Sequence, residues 1–487
     1  MKSLLATILT LCTTSATAET VLGAYIFHRH GDRTSKSWPP TLLTALGADQ
    51  VFTSGTWFRN RYIASNSTNP ILNIAPDLAV LSQLAITAPV DNVLQSSANV
   101  FTQGLYPPAG TAADQTLADG TSTQAPFNGY QYIPVNIVST ASSTSGAEDS
   151  EWLQGSSGCA NAVVSSNEYL QSQEYVDLLN QTSSFYQDLL PVYNTTFNAS
   201  TATYKNAYTI FDYVHVSQIH NQTITSDDLL TNDTTHQLLT LANAHEWGLA
   251  YNESEPVRAI AGAVLGGQIL QALNTTLALP LSKASAQRLT IQFGAYGSFM
   301  SFFGLANLQA ASDNFKGIVD YASSITFELV TNATVNGTGI TSTSTIDPND
   351  VSVRFLFVNG SASDTNIPQT FPLFGQSETT ISWNDFSAGM SNFSISDTTA
   401  WCQACGNTTG ACAGTSTSSS SSGSSSGSSS SNSSITPGIA GGIGVLSMFG
   451  LVLVITIAGA LAGFRIVKKG TAAAAGTGAT AAHVGKA

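Results

Sequence analysis

The chain has 487 residues and a formal net charge of −14, with 16 Lys and Arg against 30 Asp and Glu. So acidic a balance argues against a nucleic-acid partner, and any anionic ligand must be drawn by a local concentration of positive charge. The length exceeds one ordinary core and predicts a sheet domain with a second lobe.

Residues 1–18 begin with Met1-Lys2, continue through apolar Leu4-Leu5-Ala6-Thr7-Ile8-Leu9 and end in the small-residue pattern Ala16-Thr17-Ala18. That is a secretory signal peptide, and the mature chain is expected to start at Glu19. Val21-Leu22-Gly23-Ala24-Tyr25-Ile26-Phe27 is apolar, β-branched and aromatic, and reads as a buried strand. It runs into His28-Arg29-His30-Gly31-Asp32-Arg33-Thr34, where Gly31 and Asp32 favour a turn. In open α/β sheets ligands bind beyond the carboxyl ends of strands. This strand is therefore expected to carry two histidines and two arginines to the ligand edge. Guanidinium groups offer forked donors matched to phosphate oxygens. An imidazole between them is placed to attack phosphorus and to hold the phosphoryl group covalently. Asp32 reads as a carboxylate that orients the loop.

The spacing Arg29-His30-Gly31-x-Arg33 resembles that of the histidine phosphatase superfamily, in its histidine acid phosphatase branch. The resemblance implies a phosphoglycerate mutase-like α/β fold, His30 as the nucleophile and Arg29 and Arg33 as phosphate clamps. It extends over most of residues 19–413. Leu43-Thr44, Gly47, Gln50, Gly55, Arg59 and Arg61-Tyr62 recur at the spacing of the helix after the family's first strand, and Val51, Gly55, Phe58 and Tyr62 share one helical face. Ser97-Ala98, Phe101 and Gly104-Leu105-Tyr106-Pro107 resemble the next helix. Ile260-Ala261-Gly262, Leu265 and Ile269-Leu270 resemble the helix leading back to the sheet.

Two features of the family pocket are missing. The arginine that usually precedes the Ser-Ala helix has no counterpart near Asn92 or Val93. The late His-Asp pair, which the resemblance assigns as second imidazole and proton donor, is replaced at the strand end Phe293-Gly294-Ala295 by Tyr296 and Gly297, and a slip of one residue does not restore it. General acid catalysis contributes about 10²–10⁴-fold. Two expectations follow: a phosphomonoesterase acting slowly through a phosphohistidine, or a catalytically silent phospho-ligand-binding or structural glycoprotein of the same fold. His215, His220 and His245 read as packed or surface histidines. No cluster has metal-ligand spacing, and no cofactor is implied.

By analogy, residues 19–110 and about 280–400 form the sheet domain and flanking helices, and residues about 110–280 a mainly helical cap. Residues 109–124 read as a loop entering it. Tyr175, Leu178, Leu179, Phe185 and Leu189 stand at helical spacings between Tyr169 and Tyr193. Asn-x-Ser/Thr acceptors occur at Asn66, Asn180, Asn194, Asn198, Asn221, Asn252, Asn274, Asn332, Asn336, Asn359, Asn392 and Asn407, and predict N-linked glycans on an exported surface. Cys12 leaves with the signal peptide. Of the three pairings open to Cys159, Cys402, Cys405 and Cys412, we favour two disulfides with one tying Cys159 to the C-terminal cluster. Residues 414–436 form a Ser/Gly-rich stalk, and residues 437–464 are expected to cross a membrane, with Ile439 to Phe464 apolar and uncharged. Arg465, Lys468 and Lys469 place residues 465–487 in the cytoplasm. The basic flank and tail argue against the competing glycolipid anchor. The expected protein is a single-pass type I protein of the cell surface or secretory-pathway membrane.

Overall fold

The structure is a computed structural model, and it describes residues 19–138, 158–221, 224, 226–335 and 344–413. The expected signal peptide, stalk, membrane span and tail, and Asn336, lie outside these residues.

Ten strands are present among them: β1 (Thr20–Arg29), β2 (Leu84–Pro89), β3 (Gln115–Thr116), β4 (Ser122–Thr123), β5 (Asn136–Val138), β6 (Leu289–Gly294), β7 (Ser324–Thr331), β8 (Val351–Val358), β9 (Gln369–Thr370) and β10 (Thr380–Ser382). Eight build one mixed sheet in the order β10-β8-β7-β1-β6-β2-β5, with β9 beside β8; β3 and β4 form a separate hairpin in the stretch expected to be loop. β1, β6, β2 and β5 run parallel, whereas β7, β8, β9 and β10 are antiparallel. β1 stands between β6 and β7, so the Val21–Phe27 run is covered on both edges and both faces. Burial on both faces is why it reads as a continuous apolar stretch.

Alternate β1 side chains serve two cores. Tyr25 and Phe27 join Leu265, Ile269 and Phe299 on one face, and Ala24 and Ile26 join Val51, Phe58, Ala98 and Phe101 on the other. The second face is covered by α1 (Ala45–Tyr62) and α2 (Asn92–Leu105), the first by helices Ile260–Ala278 and Tyr296–Leu305. Helices that follow β1 and β2 thus lie opposite the helix that follows β6. The crevice at the carboxyl ends of these three strands is where an α/β sheet binds ligands. Pro256–Ala278 is long and apolar enough to cross a membrane by composition, yet 67% of its most apolar window is buried, as a core helix of this domain.

The stretch between residues 110 and 280 contributes to both layers. β5 extends the sheet and Ile260–Ala278 packs on it, while the helices between them form a lobe around a tyrosine-rich core of Tyr169, Tyr175, Tyr186, Tyr193, Tyr204 and Tyr213. The helical spacings from Tyr169 to Tyr193 support a helical cap without giving the helix boundaries. The structure has short helices Ala160–Tyr169, Gln173–Gln181, Ser183–Asp188 and Leu190–Tyr193. Ser172 caps one by accepting from Tyr175 N, and Pro191 begins another, so local capping breaks the run. Disulfide Cys159–Cys405 ties this lobe to the C-terminal helix Thr398–Cys405 and Cys402–Cys412 closes the C-terminal cluster, in agreement with the favoured pairing.

Candidate functional site

β1 delivers the motif to the crevice, as its position in the sheet requires. Beyond Arg29 the chain turns toward the start of α1. There Thr44 accepts from Gly47 N at 3.0 Å and donates to the Asp32 carboxylate, and the Asp32 amide donates to Gln50 Oε1 at 2.8 Å. A Cβ on Gly31 would stand 2.1 Å from Gly47 O, so loop and helix meet at a distance that only glycine permits. Asp32 orients the loop as expected, but with a partner the sequence did not suggest. His220 Nε2 lies 2.6 Å from its Oδ2, bringing the end of helix Ala207–His220 over the motif.

His30 is 1% exposed. Its Nδ1 lies 2.8 Å from the Gly31 carbonyl, which only accepts, so Nδ1 carries a proton and a neutral ring has its lone pair at Nε2. That is the tautomer an attack on phosphorus requires. His28, behind it, packs between Phe101 and Phe293, and burial pushes its imidazole down to about 4, so it stays neutral.

An aromatic ring packs against the His30 side chain. Tyr321 stands 5.6 Å from the His30 ring, 4.7 Å from the Arg29 guanidinium carbon and 5.7 Å from that of Arg33. Burial raises its phenol despite both arginines, so a neutral ring faces the two cations. The loop carrying it is held on several sides. The Ala322 amide donates to His30 O at 2.8 Å, and Arg29 Nη1 donates to Val319 O. The Asn359 side chain accepts from the Asp320 amide at 2.7 Å.

Arg33 is also engaged. Its Nη2 pairs with Asp212 Oδ1 at 2.8 Å, and the same carboxylate accepts from Ser35 Oγ at 2.9 Å and from the Lys36 amide at 2.8 Å. Burial disfavours the Arg33 charge, but Tyr208, Asp212 and Tyr321 more than offset it, and the guanidinium is held above its ordinary range. Asp212 thus receives a set of donors suited to a phosphate oxygen. Arg29 Nε and Arg33 Nε remain buried without a hydrogen-bond partner, a residue of donor capacity that an aromatic face does not fill.

The positions of the missing pair lie to one side. Ala295 opens helix Tyr296–Leu305, and Tyr296 donates to Glu246 Oε2 at 2.7 Å; Glu246 Oε1 meets His245 Nδ1 at 2.8 Å. Tyr296 also packs on Tyr208 and against the Arg29 guanidinium. His245 contacts Tyr175 and Tyr204, a packed histidine as read, but its neighbour Glu246 reaches Tyr296. Beyond Tyr296 and Gly297 opens a cavity of about 750 Å³ between the sheet edge and the lobe, lined in part by Asp91 and Asn92. Asp91 caps α2 by accepting from Val93 N and Leu94 N. The crevice therefore holds a tyrosine packed on His30 and an open chamber at Tyr296 and Gly297. Among the described residues no group of three or more His, Cys, Asp or Glu is placed to hold a metal ion.

The sequence profile of the histidine phosphatase superfamily (branch 2) matches residues 34–358, beginning immediately after Arg33. The chain belongs to this superfamily. Among solved structures, the phytase of Citrobacter braakii is 16% identical with a TM-score of 0.50, covering 80% of this chain and 99% of its own. The apo form of Hafnia alvei phytase is 13% identical with a TM-score of 0.50 and covers 80% of this chain and 99% of its own. At such identity the likeness is one of fold. No curated protein matches in sequence.

Reasoning from sequence missed Tyr321 and Asp212 with Tyr208; the His245-Glu246-Trp247 cluster is visible as a candidate replacement acid, but its distance in sequence from both strand ends sets it aside. Tyr208, Asp212 and His215 stand at helical spacing, so one face of Ala207–His220 was visible as polar and aromatic. Nothing in the sequence says which loop it covers. Tyr321 sits in a loop without a motif.

Proposed function

We propose that this member of the superfamily is a cell-surface glycoprotein held by one C-terminal membrane helix, in which the phosphohistidine seat is closed and phosphomonoester turnover is lost. The carrying observation is the Tyr321 ring against His30, Arg29 and Arg33 together. A tetrahedral dianion and that ring cannot share the seat, and the Asp212 carboxylate opposes a second anion beside Arg33. Loss of the usual proton donor agrees with this reading. Tyr296 has reference acidity near pKa 10, a poor match to acid catalysis at low pH.

The export and glycan parts of the reading rest on the signal sequence, the basic flank after the apolar C-terminal run, and the acceptor asparagines. Asn66, Asn180, Asn194, Asn198, Asn221, Asn274, Asn332, Asn359 and Asn392 are exposed, and Asn252 and Asn407 half-buried. Enzymatic deglycosylation should lower the apparent mass of the expressed full chain, and protease added to intact cells should remove the N-terminal domain.

A second reading is supported by the His30 tautomer: slow hydrolysis of a small phosphorylated substrate after the Tyr321 loop withdraws. Incubation of the full-length protein with ³²P-labelled phosphomonoester, followed by quenching and peptide mapping, separates the two. The expected result is no label and no turnover. Label on His30, lost in His30→Ala, would establish the second reading and sink the first.

A further inference from the structure

The chamber beside Tyr296 has the size of a small-molecule site, about 750 Å³, and lies at the carboxyl ends of β2 and β6, where this class of sheet binds ligands. We infer that it takes a neutral polyhydroxylated ligand of the saccharide class rather than a phosphorylated one. The inference does not depend on whether His30 is catalytically silent.

The argument comes from the charges in the wall. Two cations line the chamber, Lys36 and Arg258, and two carboxylates, Asp91 and Glu246, so the formal charges cancel. Arg258 is held within the protein: Nε donates to Ser165 Oγ at 3.1 Å, Nη1 to Gly248 O at 2.9 Å, and Nη2 pairs with Glu255 at 3.5 Å. The Lys36 ammonium lies over the Tyr208 and Tyr296 rings, 5.5 and 5.9 Å from their centres. Glu246 is bonded to Tyr296 and His245. A dianion entering this chamber would be desolvated in a wall whose two cations are already matched by the Asp91 and Glu246 carboxylates, which is unfavourable. A wholly apolar ligand would strip water from Thr41, Asn92, Ser166, Asn167 and Ser298, also unfavourable. A molecule with hydroxyls around an apolar ring face meets both conditions. The amides, hydroxyls and carboxylates exchange hydrogen bonds with it, and Pro39, Pro40, Val163 and Leu249 cover its C–H faces.

Gly297 supplies the test. It lines the chamber, and a Cβ built on it meets nothing within 4 Å, so a larger side chain enters the void instead of the wall. Full-length protein, purified without saccharide detergents and enzymatically deglycosylated, would be studied by saturation-transfer NMR. The probes are glucose, mannose, galactose, N-acetylglucosamine and glucose 6-phosphate. The expected result is binding of at least one neutral sugar, weakened about tenfold or more in Gly297→Leu and also weakened in Asn167→Ala. Thermal melting of Gly297→Leu should match the parent, which excludes unfolding as the cause. Glucose 6-phosphate binding more tightly than every neutral sugar would overturn the inference in favour of a phosphate site. No transfer to any probe, or binding unaffected by Gly297→Leu, would also overturn it. Labelling of His30 in the phosphatase experiment would leave these outcomes unchanged, so the two readings fail separately.

Discussion

The seat at His30 and the chamber beyond Tyr296 share one crevice but have been treated differently. Around His30 the protein's own groups crowd in: a phenol ring packs on the imidazole, a carboxylate holds Arg33 and a main-chain carbonyl holds Arg29. Around Gly297 there is open volume and a balanced polar wall. The Arg29 side chain, which resembles a substrate clamp, donates to a carbonyl of the loop that carries Tyr321.

The largest effect is expected where the sealed side is opened by removing a charge. Asp212→Ala leaves Arg33 buried without its counter-ion and should destabilise the protein by about 3–5 kcal/mol, read as a lower urea midpoint. A loss below about 1 kcal/mol would mean that Arg33 already faces solvent or another anion.

Tyr321→Ala should destabilise by about 3 kcal/mol, because a buried ring is lost. It should also vacate the anion seat. Sulfate should then raise the melting temperature of the variant and leave that of the parent unchanged. Equal sulfate responses would show that the ring does not occupy the seat.

His28 gives a pH test of the same side. Its imidazole titrates near 4 in the folded protein, against 6.5 ordinarily, because it is buried. As pH falls the unfolded chain is protonated first, so this stabilising contribution is complete above about pH 6.5 and is lost progressively toward pH 4. The loss is on the order of 3 kcal/mol. His28→Phe should flatten that part of the pH–stability curve relative to the parent; parallel curves would show that His28 is not buried as neutral imidazole.

The smallest effect should come from filling the open side. Gly297→Leu is expected to change stability by no more than about 0.5 kcal/mol. A large penalty would mean that the chamber is not open, and the contrast between the two regions would collapse.

Much of this protein is set by local sequence. The alternating burial of β1 follows from its apolar run, the Thr44 cap and the Gly47 approach fix α1 against the motif loop, and Asp91 starts α2. These are short-range consequences of side-chain volume, periodicity and hydrogen-bonding capacity, so the strand, its first two helices and the position of His30 were legible in the residues. Only the tertiary structure decided what stands in front of the imidazole. Tyr321, Asp212 and Glu246 come from a loop and two helices far apart in the chain, and no local pattern encodes which of them meet. Their contacts arise when the helical lobe is laid over the sheet edge, because burying its tyrosine-rich core fixes the placement of helices whose remaining faces then close one half of the crevice and leave the other half open.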